Sequence, residues 1–372
     1  MKKKTIFGHW EASAIIMNLI CTKIFLNFPR MAVEEGGTAA WIFAIYIAIL
    51  AILGFTVIQK LYKPFEGKDL LDVAELAAGN IGRILVGFVI LFCLGWGTVA
   101  YMRMFSENMK LISLTTSPLS YVQLYFVVCL VTGAYFGIEA LSRLHAFVVP
   151  VITVGFLLIM LGAVNYIDPG NLMPLLGNGL SAIFIKGAQK VSDYSEILVL
   201  FLLASFLKKY EVMKSTGYWS LVLASVFLVI SVLVFSTVFP YPSSLEITIP
   251  IFHVARLIKL GRFFQRVESV FLFIWAASSL LYITVNFYLI LFTFQKAFRL
   301  DYYKPLIIPL SIIVMSLSFL PSDFAEVVTY EVELFRSWSW VPAFVMPILL
   351  LILARRKHRK SAESGGNEPQ DS

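Results

Sequence analysis

Charge is what this chain of 372 residues lacks most: Asp, Glu, Lys and Arg together make up 14% of it, against about a quarter in ordinary soluble domains. Cysteine is almost missing too. Cys21, Cys93 and Cys129 are the only three, and no two have the spacing of a metal site or a redox pair. The histidines His9, His145, His253 and His358 are equally scattered, with no H-E-x-x-H run to hold zinc. There is no P-loop, hence no built-in ATPase motor, and no G-x-S-x-G elbow for hydrolysis. Regular arginine repeats of a voltage sensor and a potassium-filter sequence are absent as well. An enzyme is the class with least support, and nothing in the sequence asks for a cofactor or a metal.

What fills the chain instead is apolar sequence, 59% of all residues. Stretches of about twenty apolar residues, the thickness of a bilayer core at 1.5 Å per residue, recur ten times. The expected spans are 11–31, 38–59, 83–104, 120–138, 145–165, 180–207, 216–239, 267–295, 304–321 and 336–354. Lipid leaves only helices or a closed barrel as spanning structures. A barrel would show short alternating segments, whereas runs such as 147–162 and 221–235 are nearly continuous. The sequence therefore predicts an all-α polytopic membrane protein, with one transmembrane domain over 1–354 and a disordered basic and polar tail over 355–372. The opening Met-Lys-Lys-Lys resembles a signal peptide, but no small-residue cleavage site follows it, so an uncleaved first helix is expected.

The formal charge of +7 does not gather on a soluble module, which argues against nucleic acid. It works as a topology signal. With the N-terminus in the cytoplasm, nineteen of the thirty Lys and Arg residues fall on the cytoplasmic side, ten fall outside, and Lys23 lies within the first span. The positive-inside rule thus places both termini in the cytoplasm. Residues 60–82 alternate Leu70, Leu71, Val73 and Ala74 with Lys68, Asp69, Asp72 and Glu75, the pattern of a helix lying in the cytoplasmic interface and touching lipid headgroups. The outer loops carry the acids Glu34, Glu35, Asp168, Asp323, Glu326, Glu331 and Glu333.

Two spans break the pattern of a simple membrane helix. In the first, Lys23 and Asn27 sit inside the apolar run and Pro29 near its outer end. In the sixth, Gln189, Lys190, Ser192, Asp193, Tyr194, Ser195 and Glu196 follow one another. Spacing places Lys186, Lys190 and Asp193 on one α-helical face. Irregular helices at positions one and six of ten predict a five-plus-five inverted repeat with broken helices and a midplane site. A lysine at that depth costs about 3 kcal/mol unless paired or facing a cavity. Lys23 is read either as a ligand or ion contact or as a structural bridge to Glu196. Trp96, Tyr101, Tyr282 and Asn286 are candidates for the same cavity. Arg103 and Glu107 are expected to form a solvated pair at an outer helix end.

The order of short motifs resembles the B subunit of nutrient germinant receptors, the GerAB-type spore germination family within the amino acid–polyamine–organocation (APC) transporter superfamily. The pieces are Thr22-Lys23-Ile24-Phe25-Leu26-Asn27-Phe28-Pro29-Arg30, Gly79-Asn80-Ile81-Gly82-Arg83, Arg103-Met104-Phe105-Ser106-Glu107, Gly137-Ile138-Glu139-Ala140-Leu141 and Asn171-Leu172-Met173-Pro174, with Phe239-Pro240-Tyr241-Pro242 leading to Arg262-Phe263-Phe264-Gln265-Arg266. The resemblance implies a ten-span APC/LeuT-like fold, receptor A and C subunits as partners, the spore inner membrane as location, and a small nutrient, an amino acid above all, as ligand. It also implies a substrate position between the unwound parts of spans one and six. That position falls on Cys21, Thr22, Lys23 and Ile24 and on 192–196, with Asp193, Tyr194 and Glu196. Lys23 departs from the small residue common there, so it is expected to compete with the ligand's ammonium, replace a coupling cation or engage a carboxylate. A proton-coupled amino-acid transporter is the alternative to a receptor.

Overall fold

The computed structural model describes the backbone over 8–207, 209–259 and 266–365, and side chains there except at 332, 333 and 358–365. The lysines at 2–4, Lys208, the motif stretch 262–265 and the tail beyond 365 lie outside the described residues. In chain order the helices are α1 (His9–Cys21), α2 (Phe28–Gly36), α3 (Ala40–Tyr62), α4 (Leu70–Ile112), α5 (Leu119–Gly162), α6 (Gly187–Gln189) and α7 (Leu198–Leu203). They continue as α8 (Tyr210–Val238), α9 (Pro250–Leu257), α10 (Glu268–Ala297), α11 (Ile307–Ser318), α12 (Phe324–Val328), α13 (Arg336–Trp338) and α14 (Met346–Gly365). Among the described residues there is no strand, and 6 helical runs are long and apolar enough to cross a membrane.

The apolar sequence sorts itself by exposure. Phe136 is 72% exposed and Phe147 74%, a perimeter that water would penalise and lipid accepts. By contrast α10, packed on α5, α4 and α1, has 67% of its apolar window buried. It is the central post of the bundle. Gly133 on α5 permits this packing: a Cβ there would lie 2.1 Å from Thr284 Cγ2 on α10.

The expected interfacial helix begins later than the amphipathic pattern suggested. Residues 60–62 complete α3, and α4 starts at Leu70 with Asp69 as its cap, in a reciprocal box with Asp72. At Ala78 and Gly79 the helix bends sharply; Gly79 has φ +69, a conformation that glycine supplies without steric cost. Residues 70–78 therefore lie apart from the long apolar remainder of α4. The expected spans 120–138 and 145–165 correspond to the two arms of α5, 44 residues in all, which meet at Gly137, whose φ of +80 interrupts helical geometry. At 1.5 Å per residue α5 has length enough for two crossings.

The face on which α1 begins, called basal here, is closed by ion pairs. Lys296 at the end of α10 reaches the buried Asp69 carboxylate and lies 2.7 Å from Asp72. Arg299 pairs with Glu75, and Arg83 Nη1 lies 2.7 Å from the same carboxylate while its Nε donates to the Ala297 carbonyl. Burial raises the Asp69 carboxyl above the usual carboxylate range, with Lys296 pulling the other way. A cleft of about 490 Å³ opens beside this latch.

Candidate functional site

Two interruptions of regular helix meet at the centre of the bundle. After Cys21 the chain tightens into a 3-10 turn, Thr22–Phe25, and Leu26 and Asn27 leave helical geometry before α2 resumes at Phe28. Pro29 explains the break, because its ring nitrogen has no hydrogen to donate back to the preceding turn and suits the first turn of a new helix. The second interruption has no proline. A π segment at Ala182–Lys186 leads through α6 into a 3-10 helix, Lys190–Ile197, before α7. Ser192, Asp193 and Ser195, whose short polar side chains compete for backbone partners, occupy this stretch. With three residues per turn, Lys190, Asp193 and Glu196 form one column.

This column faces the first break. Lys23, 2% exposed, donates through Nζ to Glu196 Oε2 at 2.8 Å and to the backbone carbonyl of Asp193. A second cation, Arg336 of α13, completes the cluster. Its Nη1 donates to Asp193 Oδ1 at 2.7 Å, its Nε lies 3.2 Å from Glu331 Oε1, and Nη2 lies 3.8 Å from Glu196 Oε1 while donating to the Tyr101 hydroxyl. Tyr101 in turn stacks on Tyr282 of α10, centroids 4.4 Å apart. An ammonium and a guanidinium are thus set against carboxylates and a buried main-chain carbonyl, the donor and acceptor set that recognises a zwitterion.

Little space surrounds them. On the distal side, Lys23, Asp193, Tyr101, Glu331 and Arg336 line a cavity of about 10 Å³ with Phe28 and Met104, room for about one water. On the basal side, Glu196, Tyr282, Asn286, Glu331 and Arg336 line one of about 60 Å³. Glu331 and Arg336 belong to both walls. The ion cluster is a partition between two small cavities.

The other candidates scatter. Cys21 and Ile24 line a third cavity of about 30 Å³ behind α1, with Phe25, Phe156 and Phe227. Thr22 donates to Asn18 O at 2.6 Å and lies 2.9 Å from the Ser278 hydroxyl, knotting α1 to α10. Tyr194 points away to Ser225 on α8, at 3.0 Å. Trp96 stacks on Phe335, centroids 5.8 Å apart, at the edge of the partition, and Asn286 donates to the Tyr282 carbonyl at 3.1 Å.

Lys186 and Lys190 both meet Glu35, at 3.3 and 3.5 Å, whereas Asp193 meets Arg336 at 2.7 Å, so the three charges of the expected face serve two clusters. Two expectations are corrected. Arg103 and Glu107 pair at 3.0 Å, but Arg103 is buried rather than solvated and also donates to the carbonyls of Ser318 and Ser322. Glu331 is no loop acid; a π segment, Thr329–Phe335, carries it into the core. Arg336 and Glu331 were missed in the sequence, where a signal existed: charges set among Tyr330, Phe335, Trp338 and Trp340 immediately before an apolar run. Among the described residues no three or more His, Cys, Asp or Glu side chains are placed so that they could hold a metal ion together.

Both the fold and the sequence have known relatives. The fold is similar to that of MhsT, crystallised in complex with L-phenylalanine, with TM-score 0.67 and 14% identity over 95% of this chain and 89% of that one. It is also similar to Mhp1, a nucleobase-cation-symport-1 family transporter with bromovinylhydantoin bound, with TM-score 0.61 and 14% identity over 96% and 94%. The fold is therefore of the LeuT-like transporter type. In sequence, the spore germination protein YndE of Bacillus subtilis (strain 168) is 23% identical over 362 residues, 94% of this chain and 96% of that protein. The family model described as spore germination protein matches residues 9–327, and the chain is a membrane protein that belongs to the spore germination protein family.

Proposed function

We propose that the chain is the multi-pass membrane subunit of a spore nutrient germinant receptor, and that it binds a small nutrient, an amino acid first of all, between its two interrupted helices. The observation that carries this reading is the Lys23–Glu196 pair, which joins the two breaks at 2.8 Å in the middle of the bundle. Lys23, Asp193, Glu196 and Tyr101 form the site, with Arg336 added; Cys21, Thr22, Ile24, Trp96 and Tyr194 support it from behind. Arg336 offers a bidentate partner to a ligand carboxylate, and the Asp193 carbonyl with Glu196 offers one to an ammonium. In the closed form Lys23 occupies the ammonium position itself. Ligand binding then displaces an internal competitor, and the work of parting the cluster shifts a conformational equilibrium.

The receptor reading includes A and C subunits as partners and ten spans over 1–354. It places both termini in the cytoplasm and the chain in the spore inner membrane. The second reading, a proton-coupled amino-acid transporter, is favoured by the LeuT-like fold; fold alone does not choose. Neither reading involves catalysis.

Binding and uptake of a labelled amino-acid panel in proteoliposomes separates the two. Saturable binding without accumulation, weakened in Lys23→Ala, supports the receptor. Accumulation driven by a proton gradient makes the chain a transporter. Absence of binding both alone and with the A and C subunits rejects the midplane site.

A further inference from the structure

Charge does not balance in the midplane cluster. Two cations, Lys23 and Arg336, face three carboxylates, Asp193, Glu196 and Glu331. Every one of these side chains is at most 10% exposed. The remaining titratable groups around them, Tyr101 on α4, Tyr282 on α10, Cys93 on the basal cavity wall, Cys21 at the end of α1 and Tyr194 in the second break, are neutral near pH 7. Lys190, next in the 3-10 column, is held by Glu35 at 3.5 Å, where Lys186 supplies a second, 62% exposed cation. The basal latch behaves otherwise: Asp69, Asp72 and Glu75 meet Arg83, Lys296 and Arg299, three against three.

A buried carboxylate without its own counter-charge is costly enough that the group takes up a proton instead. We infer that the closed midplane site is a proton-binding site and that Glu331 is the carboxyl holding the proton. Geometry selects the residue. Asp193 has the Arg336 guanidinium at 2.7 Å and Glu196 has Lys23 at 2.8 Å, whereas Glu331 has only a third share of Arg336, at 3.2 Å. Charge selects the ion. Glu331 borders cavities of about 10 Å³ and 60 Å³, and both have the Arg336 guanidinium on their wall, a fixed cation that repels a sodium or potassium ion but not the neutral carboxyl that protonation leaves.

For function, the inference rests on the binding reading above. Parting the cluster to admit a ligand opens Glu331 to water and frees its proton. Ligand affinity then rises with pH, by up to tenfold per pH unit while one proton is released.

The test is infrared spectroscopy of the whole chain in nanodiscs without ligand. A C=O band of a protonated, water-shielded carboxyl is expected in wild type near neutral pH, moved in Glu331→Asp and lost in Glu331→Gln. A wild-type spectrum without that band overturns the proton, whether or not any variant folds. A band that Glu331→Asp leaves unmoved puts the proton elsewhere and overturns the assignment. A thermal midpoint that sodium or potassium raises and N-methylglucamine does not, with the band absent, assigns the missing charge to a metal ion. Because no ligand enters the sample, failure of nutrient binding leaves these spectra unchanged, and the two failures are told apart.

Discussion

Lys23 and Asp193 are joined by a hydrogen bond from the lysine ammonium to the aspartate's main-chain carbonyl, across 170 positions of sequence. The bond exists because both helices are broken there: the 3-10 turn brings the carbonyl to the helix face, and the first break brings the lysine opposite. The same ammonium holds Glu196 at 2.8 Å, so one side chain staples both halves of the second break to the first.

Removing Lys23 alone strands the Glu196 carboxylate. Breaking a buried pair from one side costs about 3–5 kcal/mol, so Lys23→Ala is expected to lower the thermal midpoint and the amount of folded protein in detergent. Adding Glu196→Gln to Lys23→Ala should recover much of the loss, since the stranded charge goes with it. Fluorescence-monitored unfolding of the two single variants and the double closes this cycle; additive losses would show that the pair is not coupled.

Arg336 is less replaceable than its charge. Its planar fork reaches Asp193, Glu331 and the Tyr101 hydroxyl at once from three nitrogens, and a lysine ammonium, with all its donors on one atom, cannot reach three groups spaced across the width of a guanidinium. Arg336→Lys is expected to lose most of the stability that Arg336→Ala loses, about 3 kcal/mol or more, and to weaken ligand binding at least tenfold. A Lys variant with wild-type unfolding and wild-type binding would contradict the fork geometry.

The architecture was readable because apolar length is a property of composition, and lipid permits one answer to it. The breaks were readable at Lys23, Pro29 and Asp193 because each violates the local rule for a membrane helix. Their partner was not. Arg336 and Glu331 lie more than a hundred residues beyond the second break, and only the packing of α13 on the Lys190–Ile197 turn brings them in. Helical spacing grouped Lys186 and Lys190 with Asp193, but spacing within one helix carries no information on partners, and Glu35 takes the two lysines while Arg336 takes the aspartate.

At the basal face, Lys296 links the end of α10 to the cap of α4 through Asp69 and Asp72. Lys296→Ala leaves the buried Asp69 without its cation while the capping box survives. The segment 70–78 is expected to exchange its amide hydrogens about tenfold faster or more, as roughly 1–2 kcal/mol of local stability is lost. Hydrogen exchange read by mass spectrometry reports this segment directly, and unchanged protection would show that apolar packing of Leu70, Leu71, Val73 and Ala74 holds it alone.

Gly133 offers a test of the central post without touching charge. A methyl group there would overlap Thr284 Cγ2 at 2.1 Å and press Leu141 Cδ2 at 3.2 Å, so α5 and α10 can approach this closely only over a glycine. Gly133→Ala forces one helix to move, at about 1–3 kcal/mol for an overpacked contact. The colliding atom is a side-chain methyl rather than backbone, so shortening the partner should relieve it. Thr284→Ala in the Gly133→Ala background is therefore expected to restore most of the lost thermal midpoint, with the midpoint of Thr284→Ala alone lowered only slightly, since its hydroxyl bonds no more than the Leu280 carbonyl of its own helix. If the double variant is no more stable than Gly133→Ala, the clash lies elsewhere and α10 is not seated on α5 at this glycine.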